Sequence, residues 1–217
     1  MPTMSRSISK SPKPVYVWIW LPGQTEPVVA GVITTSQRNG MPHYGFRYAP
    51  SYLARPDRIS LYRPELPLPG ALTPPPQIIP SQDGLAGCLR DAMPDAWGRR
   101  VIVNQLTGAR RDTIDTGMFD ETVYMMHSGS DRIGALDFQA SPTDYVARDG
   151  EIVTLDNLAA AIAYVEAGEK IPQKLDHAAF HSSGIGGARP KAFVDMMGGK
   201  ALIKFPSSTD VFPVLTH

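Results

Sequence analysis

The fold is decided by a short apolar segment near the start of the chain, Val15-Tyr16-Val17-Trp18-Ile19-Trp20-Leu21. Its residues are aliphatic or aromatic, and prolines flank it on both sides, a pattern that predicts a β-strand. Successive side chains of a strand point to opposite faces. The aliphatic residues therefore share one face and the aromatic residues share the other. This predicts a strand covered on both faces, or covered on one face and lined by aromatic rings on the other.

The residues that follow predict three more strands joined by turns. The strand patterns occupy residues 28–34, 43–49 and 59–62. Gly23 and Asn39-Gly40 supply the first two turns, because these residues accept the backbone angles that tight turns require. We therefore expect an antiparallel meander over residues 15–62. Its aromatic stripe is interpreted as core packing, with a binding face as the alternative.

The middle of the chain predicts helices after a rigid, proline-rich connector at residues 64–80. The expected helices cover residues 83–89, 94–107, 116–125 and 155–167, and a further strand covers 134–139. Gly108 and Gly168 are placed to end two of the helices, and Thr154 is placed to cap the last one.

A glycine-rich loop and a β-hairpin stand near the end of the chain. The loop includes Ser182-Ser183-Gly184-Ile185-Gly186-Gly187, and strand-like segments follow at residues 189–195 and 200–206. Glycines let backbone N–H groups approach phosphate oxygens closely, and a lysine on the second strand, Lys204, adds a positive charge. The pattern therefore predicts a phosphate-binding hairpin. The alternative is an ordinary hairpin that follows a flexible turn.

Composition excludes several classes of protein. Lysine and arginine number 21 in 217 residues, as do aspartate and glutamate, so no overall basic excess indicates nucleic-acid binding. The single cysteine, Cys88, fits a reducing compartment such as the cytoplasm, and we interpret it as a structural residue. No apolar run approaches the roughly 20 residues that span a bilayer. Residues 1–14 predict a disordered tail, and the histidines show no metal-binding spacing.

Two aspartates and two pairs of arginines lie between residues 91 and 111. Asp91 and Asp95 resemble caps at a helix start more than a carboxylate pair for catalysis. Arg99 and Arg100, together with the arginines at positions 110 and 111, are expected to form a solvated surface. Contact with a partner protein or with nucleic acid is the alternative for this basic cluster.

Five segments, taken in order, resemble the N-terminal part of HipA-family proteins, which are bacterial serine/threonine kinases and toxins of type II toxin–antitoxin pairs. The matching segments are residues 48–50 with 60–62, 90–100, 131–136, 186–191 and 203–206. The resemblance implies an α+β fold with an N-terminal antiparallel β-rich subdomain and helices, followed by the start of a protein-kinase-like N-lobe. The implied divisions are a tail at 1–14, subdomain 1 at 15–140 and the N-lobe start at 141–217.

The resemblance also implies site residues and cofactors. The ATP-binding residues carried over from the family motif are Gly186, Gly187, Ala188, Arg189, Lys191 and Lys204. Family members autophosphorylate a serine at the start of this loop, and Ser182 and Ser183 are the candidates here, although Gly184 aligns more closely. The full family uses ATP and Mg²⁺; for this chain we expect weak ATP binding, and no metal ligand or catalytic residue is assigned.

The expected function is that of a HipA-like kinase polypeptide that carries the N-terminal subdomain and the first part of the N-lobe, without the catalytic C-lobe. We expect a truncated product, a fragment or half of a split protein, inactive alone, with Val194, Leu202, Ile203 and Phe205 exposed. The implied partners are a HipB-like helix-turn-helix antitoxin, DNA only through that antitoxin, and an aminoacyl-tRNA synthetase substrate, with no membrane. The alternative is a non-catalytic N-terminal regulatory module that partners a separate kinase chain.

Overall fold

The computed structural model has an α+β architecture, as the sequence predicts. It describes residues 13–72, 75–77, 79, 81–108, 117, 119–132, 134–148, 153–181, 189–196 and 199–206. The strands are β1 (Val15–Ile19), β2 (Val28–Arg38), β3 (Met41–Tyr48), β4 (Leu136–Gln139), β5 (Lys191–Met196) and β6 (Gly199–Lys204). The helices are α1 (Pro50–Leu53), α2 (Gly87–Asp91), α3 (Ala96–Thr107), α4 (Glu121–His127), α5 (Leu155–Ala167) and α6 (Asp176–His181), and a 3₁₀ helix covers Gln173–Leu175.

Strands β1 to β4 form one antiparallel sheet in the order β3-β2-β1-β4. The β2–β3 hairpin turns at Asn39 and Gly40, which have φ of 52° and 78°. Two successive residues with positive φ match the turn that follows the natural twist of a two-residue hairpin. The expected turn is therefore present. Strands β2 and β3 run right up to it, so β2 ends at Arg38 and not at residue 34 as predicted.

Strand β1 lies inside the sheet because β4, from far along the chain, pairs with its second edge. Tyr16 pairs with Gln139, and Ile19 pairs with Leu136. The outer face of β1 is also covered: Trp18 is 6% exposed, and its ring lies 5.4 Å from the ring of Tyr145. The prediction of a strand covered on both faces is confirmed.

The sheet packs its inner face onto a core that includes α1, α2 and part of α4. Phe46, Tyr48 and Tyr52 are at most 1% exposed, and the ring of Tyr48 stacks on that of Tyr52 at 5.8 Å. Gly31 makes this packing possible, because a Cβ there would lie 2.5 Å from the ring of Phe46. The interpretation of the aromatic stripe as core packing is confirmed.

Helix α3 contributes to two further buried clusters. Trp97 and Val101 belong to a cluster with residues of α5, α6 and β5, whereas Ile102 and Val103 pack with Tyr124 of α4. Gly108 ends α3 in the left-handed conformation with φ of 63°. Helix α3 therefore packs against α4 as well as against α5 and α6.

Three sequence predictions differ from the structure. The helix expected at 116–125 begins only at Glu121 and ends at His127. Residues 59–62 do not form a strand; Tyr62 makes an isolated bridge to Leu66 across a turn, so the short apolar run folds back on itself. The helix expected at 83–89 begins only at Gly87, because residues 81–84 form a turn in which Gly84 has φ of 77°. No helix in the described part of the chain is long and apolar enough to cross a membrane.

Candidate functional site

The β5–β6 hairpin places two lysines side by side at its open end. Lys191, the first residue of β5, pairs directly with Lys204, the last residue of β6. The backbone N–H of Phe205 donates to the carbonyl of Pro190 at 3.0 Å and extends the pairing by one step. Directly opposite residues project to the same face, with Cβ atoms about 5 Å apart. The open end therefore concentrates positive charge, and the exposed Arg189 lies two residues before Lys191.

Three of the six residues predicted to bind phosphate, Arg189, Lys191 and Lys204, lie in the described part of the chain. Lys204 is exposed and Lys191 is partly buried, so the structure brings together the two predicted lysines that follow the loop. Gly186, Gly187 and Ala188 lie outside the described residues, as do Ser182 and Ser183. The predictions made for those five residues stay predictions.

The hairpin is attached to the rest of the protein by one of its faces. Ala192 is fully buried, and Val194 and Phe205 pack against the cluster formed by α3, α5 and α6. Leu202 is 44% exposed. The expectation of an exposed apolar set is therefore wrong for Val194 and Phe205, which pack against that cluster and are partly buried, and Ile203 is partly buried as well.

Asp95, at the start of α3, is an acidic residue whose carboxyl is influenced by the charge of Lys191. It occupies the N-cap position of α3 without forming a side-chain cap hydrogen bond, while Asp91 ends α2. Its Oδ1 atom is inaccessible to solvent and has no hydrogen-bond partner. Burial raises the pKa of Asp95, and the positive charge of Lys191 is the strongest influence that lowers it. Asp95 therefore occupies the predicted N-cap position of α3, where the backbone of Trp97 lowers the pKa of its carboxyl, whereas the prediction of a helix-start cap is wrong for Asp91, which ends α2.

This corner of the molecule is suited to anions. Two cationic side chains on one face repel each other, and an oxyanion between them would relieve that repulsion while accepting charge-assisted hydrogen bonds. A phosphate is the biological oxyanion that lysine binds as a point charge. The sequence signal for the lysines was the hairpin spacing. No local signal identified Asp95, because the influence of Lys191 on its carboxyl depends on how α3 packs.

A second group of polar residues surrounds Asp137 of β4, is largely buried, and stabilises the fold. Asp137 is fully buried, and its carboxylate accepts hydrogen bonds from Arg148 at 2.8 Å, Tyr145 at 2.9 Å and Ser130 at 2.7 Å. The Arg132 guanidinium lies 3.1 Å away, and burial lowers the pKa of Arg132 to about 10. Sequence reasoning missed this network, whose members fix the chain on either side of the strand.

The remaining candidates have local roles. Arg99 pairs with Glu121 and lies over the ring of Tyr124, and Arg100 lies over Trp97, so these two arginines are packed rather than simply solvated. Burial raises the pKa of Cys88 to about 11, which fits a structural thiol. Among the described residues, no cluster of three or more histidine, cysteine, aspartate or glutamate side chains could hold a metal ion.

An apolar groove lies on the outer face of the first sheet. Its volume is about 470 Å³, and its lining includes Tyr16, Val32, Arg47, Pro50 and Pro142. One cation, Arg47, stands among apolar groups there. The groove is a candidate surface for a partner.

Comparison with protein families identifies the first half of the molecule. The family model of the HipA N-terminal domain matches residues 19–139, more than half of the chain. The match covers β2 to β4 and helices α1 to α4. The comparisons with curated proteins and with solved structures found no match. Since the family model spans most of the first sheet and its helices, the chain belongs to the HipA family and carries its N-terminal domain.

Proposed function

We propose that this chain is a polypeptide of a HipA-like toxin kinase, and that the β5–β6 hairpin is its contact with the phosphates of ATP. The observation that carries the proposal is the direct pairing of Lys191 with Lys204 at the open end of the hairpin. Arg189 adds a third cation, and the glycine-rich residues 184–187 immediately precede this cationic end in the sequence. Cations and the backbone N–H groups of a glycine-rich loop are what a nucleotide's phosphates require.

The proposed reaction is transfer of the ATP γ-phosphate to a serine or threonine of another protein. Catalysis of this reaction consists mostly of positioning and charge stabilisation. The role we assign to Lys204 is to hold the non-transferred phosphates. Mg²⁺ neutralises the phosphate charge in such reactions, and we assign no residue of this chain to that metal. An aminoacyl-tRNA synthetase is the proposed substrate, by resemblance to the family.

Titration calorimetry with ATP tests the proposal. The contacts assigned here are charge contacts with partly or fully exposed side chains, so we expect a dissociation constant of about 1 mM. Lys204→Ala should weaken binding several-fold, and added salt should weaken it further. Lys174→Ala is the matched control, because Lys174 is an exposed lysine on the 3₁₀ helix. Equal binding by the Lys204 and Lys174 variants would refute the phosphate contact.

A second candidate function is a non-catalytic module that binds a separate kinase or a helix-turn-helix antitoxin. The apolar groove around Val32 and Arg47 favours it, because exposed apolar concavities commonly mark partner sites. Val32→Glu should abolish co-purification with a co-expressed partner. Thr143→Glu, at the rim of the same groove, is the control for added charge. Unchanged co-purification with Val32→Glu would exclude the groove as the interface.

A further inference from the structure

A polar cavity lies where the end of α3 meets the segment that follows α5. Its volume is about 510 Å³, and its lining includes Asn104 and Gln105 of α3, residues 170–173 and Asp176. Cavities of roughly 300–1,000 Å³ take small molecules. None of these residues belongs to the β5–β6 hairpin or lines the apolar groove, so the cavity is distinct from the two sites described above.

Three hydrogen bonds fix the walls of this cavity. Asn104 is fully buried; its Nδ2 donates to the carbonyl of Glu169 at 2.9 Å, and its Oδ1 accepts from the N–H of Ile171 at 3.2 Å. Gln105 donates from Nε2 to the carbonyl of Asp176 at 3.0 Å. These bonds join α3 to both ends of the segment 169–176, so the cavity is formed before any ligand enters.

Two side chains of opposite charge line the cavity without pairing. Lys170 is exposed and Asp176 is partly buried. Within the described part of the chain they form no ion pair with each other, and neither charged group has another ion-pair or hydrogen-bond partner. The stem of Lys170 lies over the end of α3, where a Cβ at Gly108 would be 3.2 Å from its Cδ. Both charges are therefore positioned, and both are available to a ligand.

A ligand with one positive and one negative group fits this pair of charges. A carboxylate of the ligand would accept charge-assisted hydrogen bonds from Lys170, and an ammonium would donate them to Asp176. A ligand with only one charge gains one contact and is repelled by the other side chain. Gln173 adds an exposed amide with a donor and an acceptor, which a polar ligand side chain would match.

We propose that this cavity binds a free amino acid with a polar side chain, whose carboxylate contacts Lys170 and whose ammonium contacts Asp176. The site goes beyond the proposed function and does not rest on it, because the hairpin lysines and the apolar groove take no part. Helix α3 lies within the match to the HipA N-terminal domain, residues 19–139, whereas the two charged residues follow it. The ligand would therefore sit between that domain and the segment after α5.

Titration of the isotope-labelled chain, followed by nuclear magnetic resonance, tests the proposal with L-glutamine as the probe. We expect a dissociation constant of about 1 mM, because the charged groups are partly solvated, with the largest shifts at backbone amides between residues 170 and 176. N-acetyl-L-glutamine lacks the ammonium and the α-amide of L-glutamine lacks the carboxylate, so each should bind about fivefold more weakly. Equal binding of the three compounds, or no binding of L-glutamine, would overturn the proposal.

Variants of the two charged residues should change the selectivity of the cavity, which a merely structural role would not do. Lys170→Met and Asp176→Asn should each weaken L-glutamine binding about fivefold. Asp176→Asn should at the same time strengthen the binding of N-acetyl-L-glutamine, because it removes the repelling carboxylate. Lys170→Met should strengthen the binding of the α-amide for the corresponding reason.

Lys174→Met is the matched control, because Lys174 is exposed on the 3₁₀ helix and does not line the cavity. It should leave the affinities for all three compounds unchanged. Unchanged selectivity in both Lys170→Met and Asp176→Asn would refute the assigned contacts. If one of these variants does not fold, the three compounds titrated into the wild-type chain still decide the proposal.

Discussion

The guanidinium of Arg132 lies 3.1 Å from the carboxylate of Asp137, and both side chains are almost fully buried, at 4% and 0% exposure. Arg132 also donates to the carbonyls of Ala92 and Gly129. One ion pair therefore ties the residue after α2, the turn after α4 and strand β4 together. Burial of both charges makes the loss of either one expensive.

Asp137→Asn should destabilise the protein by about 3–5 kcal/mol, because Arg132 and Arg148 would remain buried without a counter-charge. Urea unfolding followed by circular dichroism would measure the change in free energy. Asp57→Asn is the control, since Asp57 makes an exposed ion pair with Arg55. It should leave the midpoint nearly unchanged. Similar midpoints for the two variants would show that the buried pair does not stabilise the fold.

Tyr48 connects the sheet to the proline-rich connector. Its hydroxyl donates to the carbonyl of Leu66 at 2.6 Å and accepts from the N–H of Leu61 at 2.9 Å. Tyr48→Phe should cost about 1–3 kcal/mol, because it leaves two backbone groups without partners in a buried place. Thermal unfolding would measure the loss. Tyr62→Phe, at a residue 43% exposed, should have little effect, and an equal loss there would contradict this assignment.

Local signals predicted the elements whose ends are marked by special residues. Asn39-Gly40 gave the hairpin turn, and the helix from 155 to 167 is correct because Thr154 caps it and Gly168 ends it. The predictions were wrong or incomplete where contacts between residues far apart in the sequence determine the structure. The strand predicted at 59–62 lacked a neighbour to pair with, and the position of β4 beside β1 depends on contacts across the whole domain.

The same division applies to the candidate site. Pairing of Lys191 with Lys204 follows from hairpin spacing alone, so the sequence could predict it. The influence of Lys191 on the pKa of Asp95 arises because α3 and β5, which are far apart in the sequence, contribute to one buried cluster, and no local pattern encodes that arrangement. Asp137 was missed for a related reason: an acidic residue in a short strand reads as solvent-facing unless the arginines that surround it are known.

Asp95 gives stability a pH dependence opposite to that of an ordinary paired carboxylate. Burial raises its pKa, and Lys191 opposes that effect only in part. Its contribution to stability is fully present below the unfolded pKa of about 3.9 and is lost as pH rises through the higher folded value. The free energy of unfolding of the wild type, relative to Asp95→Asn, should therefore fall as pH rises from about 3 through the higher folded pKa. Urea unfolding at several pH values measures it.

Asp83 provides a control of the opposite sign. Burial alone would raise its pKa, but hydrogen bonds from Arg90 and the Leu85 amide prevail and lower it. Stability from Asp83 is present above the unfolded pKa and lost as pH falls through the folded value. The wild type should therefore gain stability relative to Asp83→Asn as pH rises. If the stability difference from the wild type changed with pH in the same direction for Asp95→Asn and Asp83→Asn, the raised pKa of Asp95 would be contradicted.

Cys88 should be slow to react with alkylating reagents. Burial raises its pKa to about 11, and the negative charge of Glu65 adds to the effect. The thiolate is the reactive form, so at pH 8 the folded chain should be modified more than tenfold more slowly than the urea-unfolded chain, since a free cysteine has a pKa of about 8.5. Mass spectrometry after iodoacetamide treatment measures both rates. Equal rates would show that Cys88 is accessible and ionised.

Asn104 joins α3 to the segment after α5. It is fully buried, donates from Nδ2 to the carbonyl of Glu169 at 2.9 Å, and accepts from the N–H of Ile171 at 3.2 Å. Asn104→Leu keeps the branched shape and the number of side-chain heavy atoms but leaves both backbone groups buried without these partners. Because each orphaned group costs about 1–3 kcal/mol, the loss should be about 2–4 kcal/mol.

Gln105→Ala is the matched control for this prediction, because Gln105 is the next residue of α3 and donates to the carbonyl of Asp176 from a partly exposed position. Water can replace that bond, so the loss should be about 0.5–1.5 kcal/mol. Urea unfolding of both variants, monitored by the fluorescence of the buried Trp97 cluster, gives the two costs side by side. If Asn104→Leu costs no more than Gln105→Ala, then α3 is held against α5 and α6 by apolar packing alone, and Asn104 is not the polar link between the two halves of the chain.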